Sequence, residues 1–266
     1  MTLQLLSWPR ANGTGATPPS HVIVFLLGYA NSGTSAVHWL IGQAPAVSTL
    51  RPKDIFGSKK EGWALDGLKR QASLAERWRD DDGWIPWEHL KKTYYDNWNL
   101  SKPILLESSP PEILHSDHLF QEFGARKDTE VRFVVLVRSP CNQHATDNDD
   151  HAGRMTVVRA IAEQYGRRHA FILRYEDLCA SPYLVPPALD KWLPGLGAGI
   201  NIGQAPAIKN QRRRYLSEKH EKMSIPDYCN TRFIPYLPYN ATLAYRASLP
   251  YHSLLSFFNY AAVTAE

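Results

Sequence analysis

Apolar runs of strand length alternate along the chain with longer stretches in which apolar residues recur at helical spacing. Strands are predicted over residues 21–28, 46–50, 103–107, 131–138 and 170–174. Helices are predicted over residues 34–43, 112–123, 156–168 and 183–193, and over parts of 61–98. Strands that alternate with helices return to the sheet by right-handed crossovers, so the pattern predicts an α/β fold: a three-layer parallel sheet with helices on both faces.

Composition and spacing predict a single domain behind a short arm. The 266 residues are 44% hydrophobic and 21% charged, which is enough for one substantial core. No linker-like run divides residues 21–266, so we predict that they form one domain. Residues 1–20 include a stretch rich in Gly, Pro, Thr and Ser, which predicts a flexible N-terminal arm.

The charge balance limits the partners. The net charge is +4 and the pI about 8.9, which suits an anionic cosubstrate but is too mild to indicate nucleic acid. No apolar run is long enough to span a membrane, and the N-terminus lacks the pattern of a signal peptide. The oligomeric state stays open.

The three cysteines bear on the compartment. Cys141, Cys179 and Cys229 form neither a metal-binding spacing nor an even framework. We therefore predict free thiols in a reducing compartment and a cytoplasmic protein. The Golgi lumen is the alternative if the chain is a domain cut from a longer protein, and three triplets that fit the N-glycosylation pattern would then matter. They are Asn12-Gly-Thr14, Asn99-Leu-Ser101 and Asn240-Ala-Thr242.

A glycine loop between the first strand and the first helix predicts an anion site. Gly28 and Gly33 follow the apolar run, and the hydroxyls of Thr34 and Ser35 open the helix. Glycines let the backbone N–H groups point inward, and the helix N-terminus adds partial positive charge. The spacing fits a nucleotide P-loop except that Thr34 stands where that motif has lysine. An ordinary strand–turn–helix corner with small residues is the alternative.

This loop resembles the 5′-phosphosulfate loop of sulfotransferases that use 3′-phosphoadenosine-5′-phosphosulfate (PAPS). The family usually has Lys or Arg just before the Ser, and this chain has asparagine there. The resemblance implies a P-loop NTPase-like sulfotransferase fold and a cofactor-binding set. In this loop the set is Asn31, Ser32, Gly33, Thr34 and Ser35.

Further segments carry the same resemblance, in family order. Arg138 ends a predicted strand and Thr146 follows eight residues later, a spacing that in the family binds the 3′-phosphate of PAPS. A guanidinium binds phosphate through paired hydrogen bonds, although a surface arginine at a strand end is the alternative. Arg212 and Arg213 lie in a basic loop that resembles the segment closing over this phosphate, and a solvated basic turn is the alternative. The sequence from Arg174 to Leu178, R-Y-E-D-L, is a family signature that we interpret as structural.

Two carboxylates compete for the role of catalytic base. Asp54 follows the first helix and resembles, with Asp for Glu, the catalytic glutamate of tyrosylprotein and heparan-type sulfotransferases; it is our first choice. Glu107 resembles the glutamate of their E-K-S-P strand and is the second. For either carboxylate, a strand-end charge paired with an arginine is the alternative. A base must reach the acceptor proton before its pKa matters. His115, His118 and His144 are lesser candidates.

The resemblance implies transfer of a sulfuryl group from PAPS to a hydroxyl or amine of a small-molecule or glycan acceptor. PAP (adenosine 3′,5′-bisphosphate) is the expected product and no metal is expected. Asn31 keeps a second class open, a non-catalytic PAPS- or PAP-binding relative. A P-loop kinase is a third alternative, which lacks support because the Walker lysine and an acidic strand end are missing.

Overall fold

A computed structural model describes residues 19–29, 32–50, 85–126, 128–138, 151–203 and 257–258. The strands in these ranges are β1 His21–Leu27, β2 Val47–Thr49, β3 Ile104–Glu107, β4 Thr129–Val137 and β5 Ala170–Arg174. The α-helices in these ranges are α1 Thr34–Gly42, α2 Trp87–Asn97, α3 Ser116–Gly124, α4 His151–His169, α5 Tyr175–Ala180 and α6 Val185–Trp192. Pro110–His115 and Pro182–Leu184 form 3₁₀ turns.

The five strands form one sheet in the order β2-β3-β1-β4-β5, and every neighbouring pair is parallel. The central strand β1 pairs on both sides, so that Ile23 lies opposite both Leu105 and Val131. After His21, strand β1 is apolar, and Ile23 to Leu27 are buried, as expected for the middle strand of a parallel sheet that is covered on both faces. The predicted α/β fold with a three-layer parallel sheet is confirmed.

Alternate residues of β1 enter two separate cores. Ile23, Phe25 and Leu27 face the core that contains α2, α3 and α4. Val24 and Leu26 face the opposite core, which contains α1, α5 and α6. The helix after β1 therefore lies on one face of the sheet, and the helices after β3 and β4 lie on the other. Neighbouring strands whose helices leave to opposite faces open a crevice beyond their carboxyl ends.

Two helical segments differ from the prediction. The helix predicted over residues 112–123 begins instead as the 3₁₀ turn at Pro110, because consecutive prolines suit a first turn. Ser109 and Glu112 form a capping box at its start. Helix α5, Tyr175–Ala180, was not predicted as a helix because its six residues are too few to show helical spacing.

The predicted arm over residues 1–20 lies outside the described residues except for its last two, and the single-domain prediction over 21–266 stays a prediction. Ser20 is held by its backbone N–H, which donates to the carbonyl of Asp128 at 2.9 Å. None of the helices in the described ranges has the length and hydropathy needed to cross a membrane.

Cys179, in α5, takes part in a disulfide bond. The prediction of free thiols is therefore wrong for this residue. An odd number of cysteines does not exclude one bridge beside a free thiol, and sequence spacing alone does not reveal the pairing.

Candidate functional site

The loop after β1 is too tightly packed to accept a side chain at its first glycine. A Cβ atom on Gly28 would lie 2.7 Å from Ser32 Oγ and 2.7 Å from Thr34 Cγ2. Ser32 is buried, and its hydroxyl donates to the carbonyl of Tyr29 at 2.6 Å. The backbone N–H of Ser32 also donates to that carbonyl, at 3.1 Å. The loop is therefore a closed turn that brings the start of α1 back onto the end of β1.

Gly33 marks the N-terminus of α1. Its φ of +102° and ψ of 12° lie in the left-handed region that favours glycine. A Cβ atom at this position would lie 2.7 Å from the ring of Tyr175. Two independent constraints, backbone conformation and contact with an aromatic ring, therefore require glycine here.

The start of α1 has the properties of an anion site. No side chain of the described residues caps the helix, and its first turn carries no acidic residue. The first N–H groups of a helix have no partner within the helix, and they carry the positive end of its dipole. Thr34 is 6% exposed and Ser35 is half-buried, so that both hydroxyls lie at this terminus. The arrangement can receive a phosphate or sulfate group.

Arg138 lies at the neighbouring strand end. It follows β4, which pairs with β1. Its guanidinium carbon lies 4.3 Å from the centre of the Tyr175 ring, within the range of a cation–π contact. The ring of Tyr175 thus lies against Arg138 and beside Gly33, so that it links the start of α1 to a cation.

Tyr175 is the residue that sequence reasoning missed. It is buried and opens α5 directly after β5. The sequence showed only that Tyr175 follows a predicted strand. The pairing of that strand with β4, which brings the ring to Arg138, is seen only in the structure. The structural interpretation of the R-Y-E-D-L segment holds for its charges. Arg174 Nε donates to Asp177 Oδ2 at 2.7 Å, and Arg174 Nη1 donates to the carbonyl of Phe258 at 3.3 Å.

Glu107, a candidate base, is buried at the end of β3. Its Oε1 accepts a hydrogen bond from Ser109 Oγ at 2.8 Å. The Tyr94 hydroxyl lies 3.5 Å from the same oxygen and donates to it more weakly. Its Oε2 has no hydrogen-bond partner among the described residues. Tyr94 donates more closely to Glu112 Oε1, at 2.6 Å, and the Ser109 N–H donates to Glu112 Oε2 at 3.2 Å.

Both buried carboxyls favour the protonated form. Burial, reinforced by the charge of Glu112, raises the pKa of Glu107 well above its ordinary value. Burial raises the pKa of Glu112 to about 8. Burial and the two neighbouring carboxyls also raise the pKa of Tyr94. The three groups form a network that ties α2 to the end of β3. The Glu107 carboxyl is buried inside this network and is not exposed to an acceptor.

The Glu112 carboxyl should make folding stability depend on pH. Because its folded pKa of about 8 exceeds the ordinary value of 4.5, its contribution is present in full below that ordinary value and is lost as the pH rises through about 8. Between about pH 5 and pH 8, this one group should lower the free energy of unfolding by up to about 1.4 kcal/mol for each pH unit. Glu112→Gln should remove that part of the pH dependence. Urea unfolding across this range is the measurement.

The matched control for that substitution is Glu163→Gln. Glu163 lies on α4, where its half-exposed side chain pairs with Arg159 at 2.8 Å. This control should keep the wild-type pH slope. Equal slopes for wild-type protein and Glu112→Gln would show that the buried carboxyl does not titrate across the range.

The lesser histidine candidates pack against α2. His118 stacks on Trp87 with ring centres 5.5 Å apart, and His115 meets the same ring edge-on at 6.2 Å. His115 ends the 3₁₀ turn and His118 lies in the first turn of α3, so the two rings pack both segments against the start of α2.

The other predicted site residues lie outside the described ranges, and their roles stay predictions. They are Asn31, Asp54, His144, Thr146, Arg212 and Arg213. Of the predicted residues that the structure describes, Ser32, Gly33, Thr34, Ser35 and Arg138 lie around one crevice, between the ends of β1 and β4. Glu107 ends β3 on the other side of β1.

No protein-family model matches the sequence, and no curated protein matches it. Solved structures do. A sulfotransferase domain from the Synechococcus PCC 7002 olefin synthase is 14% identical, with 96% of this chain and 99% of that one covered and a TM-score of 0.49.

A sulfotransferase from Alicyclobacillus acidocaldarius is 11% identical, with coverages of 92% and 97% and a TM-score of 0.47. Retinol dehydratase in complex with androsterone and the inactive cofactor PAP is 13% identical, with coverages of 90% and 81% and a TM-score of 0.41.

Proposed function

We propose that the protein is a sulfotransferase that moves a sulfuryl group from PAPS to a hydroxyl or amine of an acceptor and releases PAP. One observation carries the proposal: the ring of Tyr175 lies against both Arg138 and Gly33. A helix N-terminus and a guanidinium at adjoining strand ends provide two separate anion sites. A nucleotide that carries both a 5′-phosphosulfate and a 3′-phosphate requires two such sites.

The residues present fit such a nucleotide. Neither Gly28 nor Gly33 has room for a Cβ atom, so both glycines are needed for the close packing between the end of β1 and the start of α1. The N–H groups and hydroxyls of Thr34 and Ser35 hold the phosphosulfate. Arg138, with Thr146, Arg212 and Arg213, holds the 3′-phosphate through charge-assisted hydrogen bonds. No acidic residue in the first turn of α1 opposes this binding.

When bound, PAPS supplies a sulfuryl group that is already activated by its phosphate leaving group. Asp54 accepts the proton of the acceptor hydroxyl or amine, whose oxygen or nitrogen then forms the bond to sulfur. The dipole and N–H groups of α1 stabilise the negative charge that develops on the departing phosphate. Glu107 acts as a positioning residue, because its burial and its bond from Ser109 fix the end of β3.

A PAPS- or PAP-binding protein without turnover is the second candidate. The observation in its favour is Asn31, since the resembling family has a cation at this position. Without that cation the leaving phosphate is stabilised less. For a catalytic protein, we propose Lys53, Lys59 or Lys60 as the replacement for that charge. For the sulfotransferase, the proposed acceptor is a small molecule or a glycan.

The test is a comparison of two nucleotides at Arg138. PAP carries a 3′-phosphate and adenosine 5′-phosphosulfate does not. Arg138→Ala should weaken PAP binding by roughly 10- to 100-fold, the range of a lost charge-assisted hydrogen bond, and should leave adenosine 5′-phosphosulfate binding nearly unchanged. Titration calorimetry measures both affinities.

Two further variants control this comparison. Arg138→Lys keeps the charge but loses the paired geometry, so it should fall between wild type and alanine. Arg126→Ala removes an exposed arginine that precedes β4, at the opposite edge of the sheet, and it should bind both nucleotides as wild type does. Equal weakening of both nucleotides by Arg138→Ala would contradict the assignment of the 3′-phosphate.

A further inference from the structure

The turn between α2 and β3 carries a triplet of the N-glycosylation type, Asn99-Leu100-Ser101. Helix α2 ends at Asn97, Trp98 is buried, and the chain then emerges at the surface. Asn99 and Ser101 are both exposed, and Leu100 is 47% exposed. A triplet matters as an acceptor only where an enzyme can reach it, and this one lies at an accessible turn.

The turn holds the asparagine in a defined conformation. Asn99 Oδ1 accepts two hydrogen bonds from Ser101, one from the backbone N–H at 3.1 Å and one from the hydroxyl at 2.8 Å. The side-chain oxygen is thus engaged twice. The side-chain nitrogen Nδ2 makes no hydrogen bond to any described residue and lies on an exposed residue. The hydroxyl that the triplet requires is therefore bonded to the same carboxamide that would be modified.

Neighbouring segments anchor the backbone of this turn. The N–H of Asn99 donates to Ser48 Oγ at 2.7 Å, and the N–H of Lys102 donates to the carbonyl of Asn99 at 3.1 Å. His21 Nε2 donates to the carbonyl of Leu100 at 2.9 Å. These contacts place the turn at the amino-terminal ends of the strands, where β1 and β3 begin. Gly33 and Arg138 lie at the opposite edge, so a glycan here would leave the crevice open.

The disulfide bond at Cys179 is a second, independent observation. Disulfides persist in oxidising compartments, such as the lumen of the secretory pathway, and are rare where thiols are kept reduced. N-glycosylation takes place in the same lumen, and its acceptor triplets lie in surface loops.

We infer that Asn99 is an N-glycosylation site of this protein. In the reaction, Nδ2 forms a bond to the anomeric carbon of an oligosaccharide carried on a lipid diphosphate. The bond between that carbon and the diphosphate breaks, Nδ2 loses one proton, and the lipid diphosphate is the leaving group. The donor and the transferase are supplied by the lumen of the cell. The inference does not depend on the proposed sulfotransferase activity.

The experiment directs the full chain into the secretory pathway of a eukaryotic cell with an added leader sequence. Peptide mass spectrometry after glycan removal by an amidase in heavy-oxygen water identifies each modified asparagine. Asn99 is expected to carry a glycan in most molecules. Asn99→Gln and Ser101→Ala should each lack one glycan, which is measured as faster migration on a gel. Ser101→Thr should keep the glycan.

Asn97→Gln is the matched control, because it changes a neighbouring asparagine outside the triplet and should keep the glycan. An unmodified Asn99 in wild-type protein recovered from the lumen would overturn the inference, whether or not Asn12 or Asn240 is modified. If a variant fails to be secreted, the wild-type peptide analysis on the lumenal pool decides alone.

Discussion

Asp54→Asn should lower kcat by roughly 10²-fold or more, the usual scale for loss of a general base. Asparagine keeps the size of the side chain but cannot take the acceptor proton. PAP affinity should stay at the wild-type value, because the base contacts the acceptor and not the nucleotide. Initial rates with labelled PAPS and calorimetry with PAP measure the two effects separately.

Glu107→Gln is the comparison variant for this base. Glu107 is buried and its pKa is raised by burial, so its neutral isostere should cost much less activity than Asp54→Asn. A fully active Asp54→Asn with an inactive, folded Glu107→Gln would reverse the two roles. Full activity of both variants would assign the proton to a histidine or to an acceptor acidic enough to need no base.

Gly33→Ala should abolish nucleotide binding and strongly reduce stability. At φ +102° an L-residue is strained, at a cost of roughly 1–3 kcal/mol. The new methyl would also lie 2.7 Å from the Tyr175 ring, and overpacking costs typically about 1–3 kcal/mol more. A shift of that ring would disturb the guanidinium of Arg138, which lies against it. Urea unfolding and PAP titration measure the two losses.

Alanine variants at two other glycines distinguish the cost of backbone strain from the cost of the contact with Tyr175. Gly166 also has a positive φ, +58°, but its Cβ position has nothing within 4 Å. Gly166→Ala should therefore show the backbone cost alone, with PAP binding unchanged. Gly124→Ala, whose Cβ would make an ordinary 3.8 Å contact with Val131, should show neither effect. Equal unfolding free energies for the alanine variants at Gly33 and Gly166 would contradict the packing against Tyr175.

The sheet and the glycine loop could be predicted because local sequence determines them. An apolar run such as Ile23–Leu27 indicates a strand buried on both faces, and alternation with helices makes the sheet parallel. Gly33 lies between a strand and a helix, where a left-handed residue is needed. In a parallel sheet the carboxyl ends of β1, β3 and β4 lie on the same side. The proximity of Arg138 to the glycine loop could therefore be predicted from the sequence.

The contacts between distant segments could not be predicted. Tyr175 reaches Gly33 and Arg138 only because β5 pairs with β4, which no local pattern reveals. The strand-end position of Glu107 was visible in the sequence, but its burial against Tyr94 depends on how α2 packs. Glu107, a candidate base from the sequence, is therefore part of a buried hydrogen-bonded network in the folded chain.

The most direct test of sulfotransferase activity is transfer from PAPS labelled with radioactive sulfur. Wild-type protein is incubated with phenols, alcohols, amines and glycans, and the labelled acceptor and the released PAP are measured together. The proposed function predicts a labelled acceptor in at least one class, with one PAP formed for each sulfuryl group transferred. PAP binding with no labelled acceptor in any class would contradict it and favour the non-catalytic alternative.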